Sequence, residues 1–353
     1  RLVRRIARSP VASEADILRA LAGSAHELSS TADEGSPLGR ARILIDRGRY
    51  TEARPLLDGL ADRSLAAEIE RARLDVGLGN AAQACERLRA VAPLADTGLK
   101  SGDPDEREAA VRCRVYLARA LVGIAEYGEA IALLAGFVDE VTPLGVEALS
   151  FHGLAESYLG HHDAARLALE RAVERARALG TARTEAVALS SLGVALQRGD
   201  RVEEARQAYE RAIDAAERAG EAGLLGTVQL NLAGVLKVGG DLARAIELFE
   251  GAVDMGRRSG RLSTVRNALL NLANTDLYLG RLGRARASIE ALDAQCSELA
   301  PFVRAQIVGQ KAELCARNGE VERALQLYQE CAEQYAALGR GLDAAEARLE
   351  GVL

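Results

Sequence analysis

The residues most able to do chemistry in this sequence are few. Four histidines are present, His26, His152, His161 and His162, and only His161-His162 are adjacent, directly before Asp163. A metal or catalytic role would need further ligands converging on that pair. None is expected, and the pair reads as a solvated turn. Five cysteines, Cys85, Cys113, Cys296, Cys315 and Cys331, form no Cys-x-x-Cys pair and are odd in number. Small buried thiols in a reducing compartment fit that pattern better than a metal site or a disulfide framework. No glycine-rich loop carries Lys-Ser or Lys-Thr, and no Gly-x-Ser-x-Gly elbow occurs. No catalytic residue, metal or cofactor is therefore expected.

The whole chain narrows the choice further. Its 353 residues are 48% hydrophobic yet only 3% aromatic, so the apolar mass is aliphatic and suits helices. A net charge of −6 disfavours nonspecific attraction to nucleic acid or anionic lipid. Mixed-charge stretches around pairs such as Arg257-Arg258 read as solvated helix faces. No apolar run approaches the roughly 20 residues of a membrane span, and Arg1-Leu2-Val3-Arg4-Arg5-Ile6 lacks a signal peptide's apolar stretch; the cytoplasm is the expected compartment. Met255 is the only methionine, so residue 1 is no initiator and a longer parent protein is expected. Lysine occurs only at Lys100, Lys237 and Lys311 against 42 arginines, a skew expected of a GC-rich, bacterial coding sequence.

Such residues must be positioned by a repeat. One alanine per unit serves as anchor: Ala53, Ala84, Ala130, Ala165, Ala205, Ala245, Ala285 and Ala324. Twelve residues earlier stands Ala41, Ala72, Ala118, Gly153, Gly193, Ala233, Ala273 or Ala312, always small. Four residues later stands Leu57, Leu88, Leu134, Leu169, Tyr209, Phe249, Ile289 or Tyr328, always large. Antiparallel helices approach closely only where Ala or Gly removes bulk at the crossing, and the large residue fills the space beside it. Five residues before the anchor, Gly48, Gly79, Gly160, Gly240, Gly280 and Gly319 suit a left-handed helix end, with Ala125 and Asp200 as exceptions. Fifteen residues after it, Gly180, Gly220, Gly260 and Gly339 end the second helix, and Ala300-Pro301 replaces that glycine once.

This pattern, from about Ser36 to Gly339, resembles the tetratricopeptide repeat in its long form of about 40 residues, similar to Pins/LGN polarity scaffolds, kinesin light chains and bacterial regulatory domains. The resemblance implies an all-α fold, a right-handed solenoid of about eight helix hairpins with a concave groove. It divides the chain into an N-terminal helical cap over 1–35, with a capped helix over Ser13–Leu28; two atypical units and a loop insertion over 36–108; six units over 109–339; and the start of a truncated unit over 340–353. Arg40 and Arg71 stand where the family prefers an apolar residue, and Pro93–Arg107 is expected to be an exposed loop. Asp75, Glu156 and Asp276 also replace apolar residues, nine before the anchor. They are expected at inter-unit seams paired with arginine, with Leu78, Leu159 and Leu279 supplying the lost apolar contact.

First helices line the groove in this family. At inward offsets the last four units carry Ser190, Val194, Gln197 and Arg198; Leu230, Gly234, Lys237 and Val238; Asn267, Leu270, Asn274, Leu277 and Tyr278; Gln306, Glu313 and Arg317. Amides and single charges suit an extended peptide, because amides donate to and accept from its backbone without burying a charge. Leu270-Asn271-Leu272-Ala273-Asn274-Thr275 is similar to the family's Asn-Leu-Gly-Asn signature, whose two asparagines hold the ligand backbone. Asn271 and Asn274 match both places; Asn231 matches the first, while Gly234 replaces the second. A grip on the ligand is thus expected over units six to eight, through Asn231, Asn267, Asn271, Asn274, Tyr278, Arg198, Lys237, Arg317 and Glu313. The alternative for Asn271 and Asn231 is a hydrogen bond to the adjacent helix. The expected function is noncatalytic binding of a protein or peptide segment inside a larger bacterial signalling or regulatory protein. The alternatives are a spacer or weakly self-associating module with an apolar edge at Leu342, Leu349 and Val352, and a sensor of a small ligand or signal peptide.

Overall fold

The computed structural model describes residues 35–61, 63–294 and 301–351. The expected cap helix, His26, Cys296, Ala300 and Val352 lie outside these. Seventeen helices and no strand occur among the described residues. They pair in order: α1 (Pro37–Asp46) with α2 (Tyr50–Asp58), α3 (Leu65–Leu78) with α4 (Ala81–Gly98), α5 (Pro104–Gly123) with α6 (Tyr127–Leu134), and α7 (Pro143–Tyr158) with α8 (His162–Leu179). Then come α9 (Ala182–Arg198) with α10 (Val202–Ala219), next in the chain α11 (Ala222–Val238) and α12 (Leu242–Ser259), then α13 (Leu262–Tyr278) with α14 (Leu282–Asp293), and α15 (Pro301–Arg317) with α16 (Val321–Ala337). A final helix, α17 (Gly341–Glu350), follows. The helices form two compact units, one reaching Val235 and including Met255–Ser263, the other made of Leu236–Asp254 and everything from Thr264.

The small and large positions of the repeat are buried throughout. All eight anchors and all eight small partners are buried, as are the eight large residues, from Leu57 to Tyr328. Where the small partner is glycine the fit is tightest: a methyl on Gly193 would lie 2.5 Å from Cε1 of Tyr209, and one on Gly153 2.8 Å from Cγ of Leu169. The turns are equally uniform. The residue five before each anchor has positive φ in all eight units, including Ala125 (67°) and Asp200 (58°). Immediately after it, an N–H reaches back to the carbonyl five residues earlier: Arg49 to Leu44, Asn80 to Asp75, Glu126 to Leu121, His161 to Glu156, Arg201 to Leu196, Asp241 to Leu236, Arg281 to Asp276 and Glu320 to Cys315. That is the Schellman closure, which satisfies carbonyls the ending helix would leave bare. Ser36, Ser64, Asp103 and Thr142 cap α1, α3, α5 and α7 through their side-chain oxygens.

Three sequence expectations change. The stretch from Pro93 is no long loop, because α4 runs through Pro93 to Gly98 and α5 starts at Pro104, leaving only 99–103 between them. Gly98 lets the lengthened helices touch, since a methyl there would sit 2.9 Å from the Glu106 carbonyl oxygen. Two of the three acids pair with arginine as expected, and Glu156 pairs with a histidine instead. Asp75 receives Nε of Arg87 at 3.1 Å, Asp276 receives Nε of Arg284 at 3.3 Å, and Glu156 meets Nδ1 of His161 at 2.5 Å, all within their own hairpins. Burial raises the Asp75 pKa despite its arginine. Finally, Leu159 and Leu279 are exposed and replace no apolar contact, while Leu78 does pack against the first hairpin.

Arg71 shows how a charge can stand at an apolar place. Its guanidinium donates to the carbonyls of Leu57 (3.2 Å) and Leu60 (2.8 Å) at the end of α2 and pairs with Glu68 at 2.7 Å. Arg40 is exposed, as are His161 and His162 in their turn. Cys85, Cys113 and Cys331 are buried and Cys315 partly so. Burial raises the Cys113 thiol to about 12 and Cys331 to about 11.

Candidate peptide-binding face

In the second unit, α13 presents Asn267, Asn271, Asn274 and Tyr278 at spacings of four, three and four, which places them on one face of the helix. Lys237, at the end of α11, reaches this face. Its Nζ donates to Oδ1 of Asn274 at 2.8 Å and to Oδ1 of Asn271 at 3.2 Å. A lysine only donates, so both amides must turn their oxygens toward it. Nδ2 of Asn271 then donates to the Asn267 carbonyl at 2.9 Å. Asn271 is therefore occupied at both ends and holds the arrangement in place, whereas the Nδ2 group of Asn274 donates to no group among the described residues.

Lys237 has no carboxylate partner among the described residues, and burial lowers its pKa below the usual lysine value. Beside it Val238 is 81% exposed and Tyr278 73%. The face thus offers an ammonium, an amide NH₂ group and an uncovered aromatic ring. It supplies donors and apolar surface, which suits backbone carbonyls and an apolar side chain of an extended segment.

The other expected site residues are placed differently. Arg317 and Glu313 lie one turn apart on α15 and pair with each other at 2.8 Å, so each has its counter-charge. Gln310, absent from the expected set, binds the Leu270 carbonyl at 2.8 Å and ties α15 to α13. Asn231 and Arg198 belong to the first unit. Asn231 is half-buried and makes no side-chain hydrogen bond among the described residues. Arg198 lies over the Tyr158 ring at 4.4 Å and donates to the Ser157 carbonyl at 3.2 Å, while Tyr158 stacks on Tyr127 at 4.8 Å.

The inward offsets of the first unit hold no open face of this kind. They carry charged side chains that satisfy each other: Arg73 with Asp46 and Glu70, Arg42 with Glu70, Arg183 with Glu147 and Glu221. Sequence reasoning missed this cluster. The signal was available, because applying the groove offsets to the first four units selects Arg42, Asp46, Arg73, Arg112, Arg119 and Glu147.

A tetratricopeptide-repeat family model matches residues 186–219, the whole of the hairpin α9–α10 apart from its first four residues. That hairpin is a tetratricopeptide repeat, and the other hairpins share its anchor, turn and burial pattern. Among solved structures, this repeat array is similar to BtubC (BKLC) from P. vanneervenii, with 20% identity over 65% of this chain and 92% of that one, at a TM-score of 0.52. It is also similar to the apo form of the quorum sensor NprR from B. thuringiensis, with 14% identity over 90% of this chain and 97% of that one, at a TM-score of 0.50. No curated protein matches the chain. Among the described residues of the repeats no group of three His, Cys, Asp or Glu side chains could hold a metal ion, and no helix is long and apolar enough to cross a membrane.

Proposed function

We propose that this tetratricopeptide-repeat chain is a noncatalytic binding domain of a larger bacterial signalling or regulatory protein, and that it grips an extended protein or peptide segment on the α11–α13 face. The observation that carries the reading is Lys237, held by Asn271 and Asn274 with no acid to neutralise it among the described residues, next to the uncovered Tyr278. Lys237 and Asn274 meet the segment's carbonyls, Tyr278 packs on a side chain, and Asn271 positions the lysine. Sharing a fold with the quorum sensor NprR is consistent with a short signalling peptide as the occupant. The test is a peptide selected from a random phage library on the intact chain. Lys237→Ala and Asn274→Ala should each weaken its binding at least tenfold, about 1.4 kcal/mol, with the melting temperature nearly unchanged. Wild-type affinity in both variants would remove this face from consideration.

A second reading rests on α17, where Leu342 is 85% and Leu349 63% exposed, seven residues apart on one side of the helix. Self-association through that edge predicts a mass that rises with concentration in light scattering. A constant monomer mass over a hundredfold range would exclude it.

A further inference from the structure

Within the first unit, hairpins far apart in the sequence meet. Arg261, just before α13, donates Nε to the Gly77 carbonyl (2.9 Å), one terminal nitrogen to Thr227 Oγ1 (2.6 Å) and the other to Tyr50 OH (3.0 Å), with its guanidinium 5.5 Å from the Tyr50 ring centroid. The turns approach as closely. A methyl on Gly48 would lie 2.8 Å from the Gly223 nitrogen, one on Gly79 2.9 Å from Ser263 Oγ, and one on Gly260 3.5 Å from the Thr51 nitrogen. Arg261 and Tyr50 are 211 positions apart. The ion pairs of the same unit, such as Arg73 with Asp46 and Arg183 with Glu147, join only neighbouring hairpins.

Two glycines mark this meeting as built into the sequence. Gly77 lies in the last turn of α3 and Gly223 in the first turn of α11, and neither has a positive φ that would demand glycine. Alanine would favour both helices. Tyr50 fills the space the two glycines leave: a methyl on Gly77 would sit 2.6 Å from its Cζ, and one on Gly223 3.0 Å from its Cε2. The inner face of the unit is covered as well. Fourteen residues before the anchor, Asn231 and Asn271 are half-buried, whereas Glu70, Tyr116, Phe151 and Ser191 at the same place are buried.

The composition of the contact makes it weak. Arg261 is nine-tenths buried and bonded to neutral oxygens, with no carboxylate partner among the described residues. A buried cation without a counter-charge recovers little of its lost hydration. The remainder is glycine backbone, small side chains and one edge of Tyr50, whose ring also belongs to the first hairpin's own core with Ala41, Ala53 and Leu57. Stacked hairpins need only their neighbours to stay folded, so this contact can break while they persist.

We propose that Arg261, Tyr50, Gly77 and Gly223 form a releasable clasp, a conformational device that keeps the inner face of the first unit shut. While it is closed, Glu70, Tyr116, Phe151 and Ser191 are shielded. On release the first hairpins move away from α11 and that row meets solvent, each hairpin remaining intact. The clasp does not involve Lys237 and does not rest on the peptide-binding reading.

Small-angle X-ray scattering and circular dichroism of the intact chain test it with two variants that break the clasp differently. Gly223→Leu wedges against Tyr50 while suiting α11 better than glycine does. Arg261→Gln removes the guanidinium that binds Gly77 and Tyr50. Each should enlarge the radius of gyration and leave the helical signal at its wild-type level. Gly128→Leu is the control: Gly128 is likewise the second residue of its helix, α6, but nothing lies within 4 Å of its missing methyl, so neither quantity should change. Ser191→Cys reads the inner face. The thiol it introduces should react with a maleimide at least tenfold faster when combined with Arg261→Gln than alone, after subtraction of the native cysteines. An unchanged radius in both clasp variants, an unchanged rate for Ser191→Cys, or a loss of helix accompanying any expansion would overturn the proposal.

Discussion

Gly193→Ala measures the packing rule directly. The added methyl would lie 2.5 Å from Cε1, 2.7 Å from Cδ1 and 2.8 Å from Cζ of Tyr209. The ring must retreat by about 1 Å to regain ordinary carbon contact. Tyr209 is fully buried and its hydroxyl donates to Gln197 Oε1 at 3.3 Å, so the retreat disturbs core and hydrogen bond together. Overpacking of this kind costs about 1–3 kcal/mol, and replacing a mid-helix glycine by alanine returns roughly 1 kcal/mol. The net expectation is about 0–2 kcal/mol of destabilisation. Gly234→Ala is the matched control. It sits inside α11 with nothing near its missing methyl, so the same change should stabilise by up to about 1 kcal/mol. Urea unfolding followed by circular dichroism reads both. Tyr209→Leu should recover much of the loss in the Gly193→Ala background, restoring the Ala118–Leu134 pairing of another unit, with a coupling above about 0.5 kcal/mol. Equal effects of the two glycine substitutions would refute the reasoning.

Other consequences are as specific. Ala125→Gly should stabilise by about 1 kcal/mol, because alanine holds a left-handed φ of 67° that glycine adopts freely; no gain in the urea midpoint would contradict this. Burial raises the pKa of Glu68, but Arg87 and Arg71 lower it further, leaving it below 4.5. A depressed carboxylate stabilises above its unfolded pKa and loses that contribution as pH falls through the folded value. Glu68→Gln should therefore cost about 1–3 kcal/mol at pH 7, with the difference from wild type shrinking below pH 4.5; a pH-independent difference would exclude the ion pairs as its source. Arg71→Ala should destabilise by about 1–2 kcal/mol through the bared carbonyls of Leu57 and Leu60, readable as faster amide exchange at the end of α2.

What the sequence discloses depends on the range of the interaction. The hairpins are legible because Ala53 with Ala41, or Gly193 with Tyr209, meet within sixteen residues and repeat at fixed offsets. Ala125 and Asp200 adopt the same left-handed turn as the glycines, since the turn is imposed by the pairing on either side. The asparagine motif places its residues on one face of α13, yet not the division of labour there: that Asn271 is spent on Lys237 and Asn267 requires knowing where α11 ends relative to α13. The contact between Tyr50 and Arg261 was out of reach for a different reason. The two residues are 211 positions apart, and small changes in each intervening hairpin decide whether they touch.

The three lysines make the most direct test simple. Protein carrying ¹³Cε-labelled lysine gives three signals, from Lys100, Lys237 and Lys311. On its own the Lys237 signal should titrate below the usual lysine pKa of about 10.4, as burial dictates. On saturation with a selected peptide, the Lys237 signal should shift while that of Lys100 stays in place. A bound peptide that leaves Lys237 unmoved would contradict the account.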